Sequence, residues 1–221
     1  MKSYHEIIEY NQIPNTYKIK KKIKFLLNFN NFQLNSFTEY YLKKKNVALK
    51  TIKSNYDQNF QELRLVKDYN KVDFLVVGND YNNFQDIDNN LDFRLEYFSQ
   101  QFELLKRIKN KNPNLKIIIF NYPDNYFEEY IDVKNIFDKD KISKYNLNLL
   151  DECKKNNINI LDYNSLICRV GQKNFYDYKN YYLSKSLLSE VACNEISLKL
   201  SNIIRSLIFV KKKCLVLDLD N

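Results

Sequence analysis

Val72-Asp73-Phe74-Leu75-Val76-Val77-Gly78-Asn79-Asp80 sets the architecture. A short unbroken apolar run stopped by glycine and two polar residues reads as a strand buried on both faces, the mark of a parallel sheet covered on each side. Its neighbours repeat the pattern. Upstream, residues 23–27 (Ile-Lys-Phe-Leu-Leu) form a first strand, a helix follows near 34–44, and the alternating segment 47–53 is a second strand at an edge. Downstream, Leu91, Leu95, Phe98, Phe102, Leu105 and Ile108 recur at helical spacing over 91–109. Pro113 breaks the chain before a fourth strand over 116–120, and a helix near 143–156 leads to a fifth over 158–162. Residues 189–208 close the series as an amphipathic helix. Strand–helix–strand alternation at this spacing requires crossovers between parallel strands. The expectation is a three-layer α/β/α sandwich with a mainly parallel five-stranded sheet, occupying residues 21–208. Residues 1–20 are expected to be an N-terminal extension, and 124–142 the most loop-like insertion.

Composition removes several functions. The chain has 221 residues and one histidine, His5, in a polar N-terminal segment, so a Ser-His-Asp hydrolase or a histidine-rich metal site lacks its imidazole. The net charge of +8 comes mainly from lysine, with arginine only at 64, 94, 107, 169 and 205. Base and phosphate readout favours the arginine fork. Abundant Lys, Asn, Ile, Tyr and Phe beside 2 Gly and no Trp reflect an AT-rich coding bias more than a nucleic-acid surface. The clusters at 18–24 and 43–45 are therefore expected on solvated faces. Cys153, Cys168, Cys193 and Cys214 include no C-x-x-C pair and are expected as buried free thiols. No apolar run approaches the roughly 18 residues that cross a bilayer, and the N-terminus has no signal-peptide core. The expected setting is cytoplasmic, without membrane contact.

Ligands of open parallel sheets gather at the carboxyl ends of the strands. Those positions are Asn28, the Gly78-Asn79-Asp80 turn, Asn121 and Asp162. Asn28, Gly78, Asn79, Asp80, Asn121 and, from a later segment, Asp177 are the candidate substrate-binding residues, although Asn and Asp also cap helices in any α/β protein. Gly78, one of two glycines, implies a required conformation or a close approach.

Gly78-Asn79-Asp80 resembles the glycine/Asn-Asp block of SGNH-type esterases, in which the asparagine helps hold an oxyanion. Such enzymes also need a serine after the first strand and a late Asp-x-x-His. Here the first strand exits through Leu26-Leu27-Asn28-Phe29, and the late segment reads Asp177-Tyr178-Lys179-Asn180. The resemblance implies an SGNH/flavodoxin-like fold without the hydrolase. The alternative is an esterase using Asn79 with an unconventional nucleophile such as Ser36, Ser165 or Ser184. A basic nucleic-acid-binding module is a further alternative, and the less favoured.

Residues 211–221 run Lys-Lys-Lys-Cys-Leu-Val-Leu-Asp-Leu-Asp-Asn. A hydrophobic strand ending Asp-x-Asp resembles the first motif of haloacid-dehalogenase-type phosphotransferases. With 177–183 (Asp-Tyr-Lys-Asn-Tyr-Tyr-Leu) and the helix between, it is similar to the junction of FkbH-like proteins of haloacid-dehalogenase subfamily IIIC. There an SGNH-like N-terminal domain precedes the catalytic domain. Leu27-Asn28-Phe29-Asn30 resembles that family's Ser-Asn-Phe-Thr, and Lys179 stands where it has arginine. The resemblance implies that 209–221 open a second domain, cut short at Asn221, with Asp218 the nucleophile, Asp220 the general acid/base and both carboxylates ligands of Mg²⁺. A complete protein of that family is a Mg²⁺-dependent phosphatase and glyceryl transferase. It removes phosphate from an acyl phosphate of the 1,3-bisphosphoglycerate type and passes the glyceryl unit to a carrier protein. The expected partners are thus an acyl carrier protein or a phosphorylated small molecule, besides the missing domain itself. The chain alone is expected to be inactive and to need no cofactor.

Overall fold

The computed structural model describes residues 2–14, 16–54, 58–64, 69–80, 90–123 and 133–209. Five strands, β1 (Ile19–Leu27), β2 (Val47–Ile52), β3 (Phe74–Gly78), β4 (Lys116–Phe120) and β5 (Asn159–Leu161), form one sheet in the order β2-β1-β3-β4-β5. Every neighbouring pair is parallel. Helices α1 (Tyr4–Gln12), α2 (Phe32–Lys43), α6 (Tyr163–Val170), α7 (Gln172–Phe175) and α9 (Glu190–Ile208) contribute to the core on one face. Helices α3 (Asn59–Arg64), α4 (Leu91–Lys111) and α5 (Val133–Lys155) cover the other, and α8 (Tyr178–Ser184) lies near the carboxyl ends of the strands. This is the expected three-layer sandwich, with β2 at an edge.

Period-two alternation divides each strand between the two cores. Phe74 and Val76 enter the α2/α9 core, whereas Leu75 and Val77 enter the α4/α5 core. On β1, Ile23, Phe25 and Leu27 go one way and Leu26 the other.

Several boundaries differ from the sequence reading. β1 begins at Ile19, because lysines are compatible with a strand whose ladder partners supply the order: Lys20 pairs in register with Ala48 and Lys22 with Lys50. The segment 1–20 therefore carries α1 and the start of β1, and Ile7 is buried against the α2/α9 core. The 124–142 stretch is not all loop. α5 starts at Val133, ten residues before the reading placed it, and its surface charges include the Lys144–Asp140 pair at 2.6 Å. Lys20 and Lys22 are solvated as expected, but Lys43 is not: its ammonium bonds Glu39 at 2.8 Å and the Asn11 carbonyl, tying α1 to α2. Cys153 and Cys193 are buried free thiols, while Cys168 is exposed. Residues 210–221, with Cys214 and the Asp218/Asp220 pair, lie outside the described residues.

Candidate functional site at the carboxyl ends of the strands

From β1 the chain passes outward to β2, then returns across β1 to β3. The point of reversal lies between the exits of β1 and β3, where a doubly wound sheet opens its ligand crevice. Here that crevice is closed by hydrogen bonds. Asn28 Nδ2 donates to the Asp80 carbonyl at 2.8 Å, and the Asp80 N–H donates to Asn28 Oδ1 at 2.8 Å. The side-chain amide imitates a peptide group and extends the β1–β3 ladder beyond its last register pair, Leu27–Gly78.

The strand alternation then sends Asn79 and Asp80 to opposite faces. Asn79 follows Leu75 and Val77 towards α3 and α4. Its Nδ2 donates to Gln101 Oε1 at 2.6 Å, and its Oδ1 accepts from Asn59 Nδ2 at 3.3 Å. Asp80 follows Phe74 and Val76 towards α6 and α7, where its fully buried carboxylate accepts from the Tyr163 hydroxyl at 2.8 Å and the Tyr176 hydroxyl at 3.0 Å. Burial first, and the Asp80 charge next, hold the Tyr163 hydroxyl well above the usual tyrosine range. Partial burial and the same carboxylate push Tyr178 up to about 12. Both phenols stay protonated at neutral pH, and Tyr163 serves as a donor to Asp80. With paired hydrogen bonds and no solvent access, Asp80 acts as a lock between β3 and the α6–α7 segment.

Gly78 is needed for close approach. A Cβ there would stand 2.5 and 2.8 Å from Phe120 ring atoms and 3.0 Å from Leu27 Cδ2. Asn121 and Asp162 act at the start of α6. Asn121 Oδ1 accepts from the Tyr163 N–H at 2.6 Å, its Nδ2 donates to Asp162 Oδ1 at 3.0 Å, and that oxygen caps the Ser165 N–H. Asp177 caps α8 by accepting from the Asn180 N–H at 2.9 Å.

The parts of a hydrolytic pair lie apart. His5 stands on α1 with its side chain 83% exposed, 3.2 Å from Glu9. Each candidate serine donates to a carbonyl of its own helix or cap: Ser36 to Phe32, Ser165 to Asp162 and Ser184 to Asn180. None is bonded to a base that could take its proton. Among the described residues no group of three or more His, Cys, Asp or Glu gathers as a metal site, and no helix is long and apolar enough to cross a membrane.

Beside the sealed crevice is an open cavity of about 420 Å³ at the carboxyl ends of β1 and β2. Phe25, Leu27 and Phe29 supply its apolar part, and Asn30, Asn35, Thr51 and Ser54 supply polar groups. Asn30 builds one wall by donating its N–H to the Lys185 carbonyl at 3.0 Å and its Nδ2 to the Ser184 carbonyl at 3.1 Å. Sequence reading missed this cavity. Its only signal was the polar run Asn28–Asn31 interrupted by Phe29, which does not reveal that α8 returns to it.

No protein-family model and no curated protein sequence matches this chain. Solved structures do. The N-terminal part of the protein BF1531 from Bacteroides fragilis, described as containing a phosphatase domain complexed with Mg, aligns at a TM-score of 0.82 and 18% identity, over 100% of this chain and 61% of that one. The acetylxylan esterase Axe2 from Geobacillus stearothermophilus gives 0.52 at 14% identity, over 86% of this chain and 95% of that one. A putative lipolytic protein of the G-D-S-L family from Desulfitobacterium hafniense gives 0.51 at 13%, over 83% and 99%. The chain has an SGNH-like fold. It spans 61% of the BF1531 structure, so what that larger structure does beyond the shared fold is not carried over to this chain. Identities of this size establish architecture alone, so activity has to be argued from the site.

Proposed function

We propose that this chain is a non-hydrolytic SGNH-fold module of a larger FkbH-like protein, serving beside a haloacid-dehalogenase-type phosphatase domain. One observation carries the reading. The crevice in which an SGNH enzyme would do its chemistry is bridged shut by Asn28 and Asp80, and the chain's single imidazole is committed to the outer face of α1. A scaffold that spends its strand-end polar groups on internal bonds presents a surface and, among the described residues, no serine–histidine pair.

In this reading the complete protein removes phosphate from an acyl phosphate of the 1,3-bisphosphoglycerate type and hands the glyceryl unit to a carrier protein, in polyketide or surface-glycan biosynthesis. Asp218 is the residue to attack phosphorus, and Asp220, two positions on, handles the proton of the leaving group. Mg²⁺, held by those carboxylates, supplies charge neutralisation at the phosphoryl oxygens. The basic balance of +8 suits an acidic carrier protein or a phosphorylated ligand.

The test is the reading frame beyond Asn221, expressed together with this chain. Mg²⁺-dependent phosphate release from an acyl phosphate is expected from the extended protein and not from this chain alone, and Asp218→Asn abolishes it. Turnover by the chain alone, or activity unchanged in Asp218→Asn, would overturn the proposal.

A further inference from the structure

The cavity beside β1 and β2 stays open even though several of its groups bond to one another: Ser54 Oγ donates to the Phe25 carbonyl at 2.6 Å, and Asn30 Nδ2 donates to the Ser184 carbonyl at 3.1 Å. Phe25, Leu27 and Phe29, all buried, give it an apolar floor, and Phe32 stands at its edge 71% exposed. Two exposed lysines, Lys53 and Lys185, line it, and no aspartate or glutamate does so among the described residues. The first turn of α2 adds Asn31 and Asn35, whose side chains meet through Asn35 Nδ2 donating to Asn31 Oδ1 at 3.1 Å. The volume of about 420 Å³ lies in the range of small-ligand sites. Apolar floor, amide and hydroxyl walls, and a rim of one charge sign together select a class of ligand.

We infer that this cavity binds a small organic anion, a carboxylate or phosphate ester with a short apolar body, its head facing Lys53 and Lys185 and its body resting on Phe25, Leu27 and Phe29. The apolar part gains by leaving water. The two lysines supply charge without an acidic competitor among the described residues, and the amino end of α2, whose Phe32 N–H donates to Asn30 Oδ1 at 3.1 Å, adds to the positive potential. The Lys185 backbone adopts φ 57° at the end of α8 and its carbonyl receives the Asn30 N–H, while its ammonium lies 4.9 Å over the Tyr181 ring. The inference goes beyond the proposed coupling to a phosphatase domain and does not depend on it.

The experiment is a titration of the full chain with butyl phosphate, butyrate, inorganic phosphate and 1-butanol, followed by amide chemical shifts of Thr51, Ser54 and Ser184. Saturable shifts at these residues are expected with butyl phosphate or butyrate, and the stronger of the two identifies the head group. Inorganic phosphate, which lacks the body, and 1-butanol, which lacks the charge, should each bind at least about tenfold more weakly. Lys53→Gln/Lys185→Gln, both at exposed positions, should weaken binding by at least about tenfold while leaving the remaining spectrum and thermal midpoint unchanged. Absence of saturable shifts, equal binding of 1-butanol or inorganic phosphate, or full affinity in the double variant would each overturn the assignment.

Discussion

Gly78→Ala isolates the close approach at the end of β3. The added methyl would stand 2.5 and 2.8 Å from two Phe120 ring carbons, well inside contact distance, and 3.0 Å from Leu27 Cδ2. Phe120 has no easy retreat. Its ring stacks on Tyr163 with centroids 5.4 Å apart, and Tyr163 is held edge-on by Phe175 at 5.3 Å and hydrogen-bonded to Asp80. Overpacking of a filled core costs about 1–3 kcal/mol, and the blocked exits place this site towards the upper end. For a chain of this size, 2–3 kcal/mol corresponds to a fall of about 4–12 °C in thermal midpoint. Phe120→Leu alone should cost about 1–2 kcal/mol through the space it leaves. In the double variant the new methyl occupies part of that space, so urea unfolding should give a cost about 1–2 kcal/mol below the sum. Costs that add to within about 0.5 kcal/mol would refute the steric account, and Gly78 would then be free to serve a ligand.

Tyr163→Phe removes one donor from the buried Asp80 carboxylate and should cost about 2–3 kcal/mol in urea unfolding; a cost below about 0.5 kcal/mol would mean that the carboxylate does not draw on this donor. Burial pushes the Cys153 and Cys193 thiols up to about 12. The unfolded chain therefore releases these protons first, and stability should fall as pH rises above about 8.5, by about 1.4 kcal/mol per pH unit for each thiol. Cys153→Ala/Cys193→Ala should flatten that slope even though it lowers stability at neutral pH, and an unchanged slope would contradict the assignment. Lys22 and Lys50 are register partners on adjacent strands, both exposed. Lys50→Glu should raise stability by about 0.5 kcal/mol at low ionic strength and by nothing measurable near 1 M salt.

The sheet was legible because its interior strands are buried on both faces: residues 116–120 and 72–78 have no other reading, and β4 spans the residues expected of it. The start of β1 was hidden behind Lys20–Lys22, since a strand can carry lysines when its neighbours supply the ladder. The beginning of α5 was hidden by its charges, with Ile142 buried at a position where helical periodicity had too few apolar partners to register. For the candidate site, sequence identified which residues leave the strands but not where their side chains go. Asn79 and Asp80 read as one polar rim, yet adjacent positions of an extended chain face opposite ways. Their partners Gln101, Tyr163 and Tyr176 lie 22, 83 and 96 positions away, beyond any local pattern.

The most direct measurement is multiple-turnover hydrolysis of p-nitrophenyl acetate by the purified chain, with and without a serine-directed fluorophosphonate. A scaffold with its crevice sealed by Asn28 and Asp80 should release nitrophenol no faster than the same chain unfolded in urea, and the fluorophosphonate should neither label it nor slow it. Saturable turnover abolished by stoichiometric labelling of one serine would contradict the account.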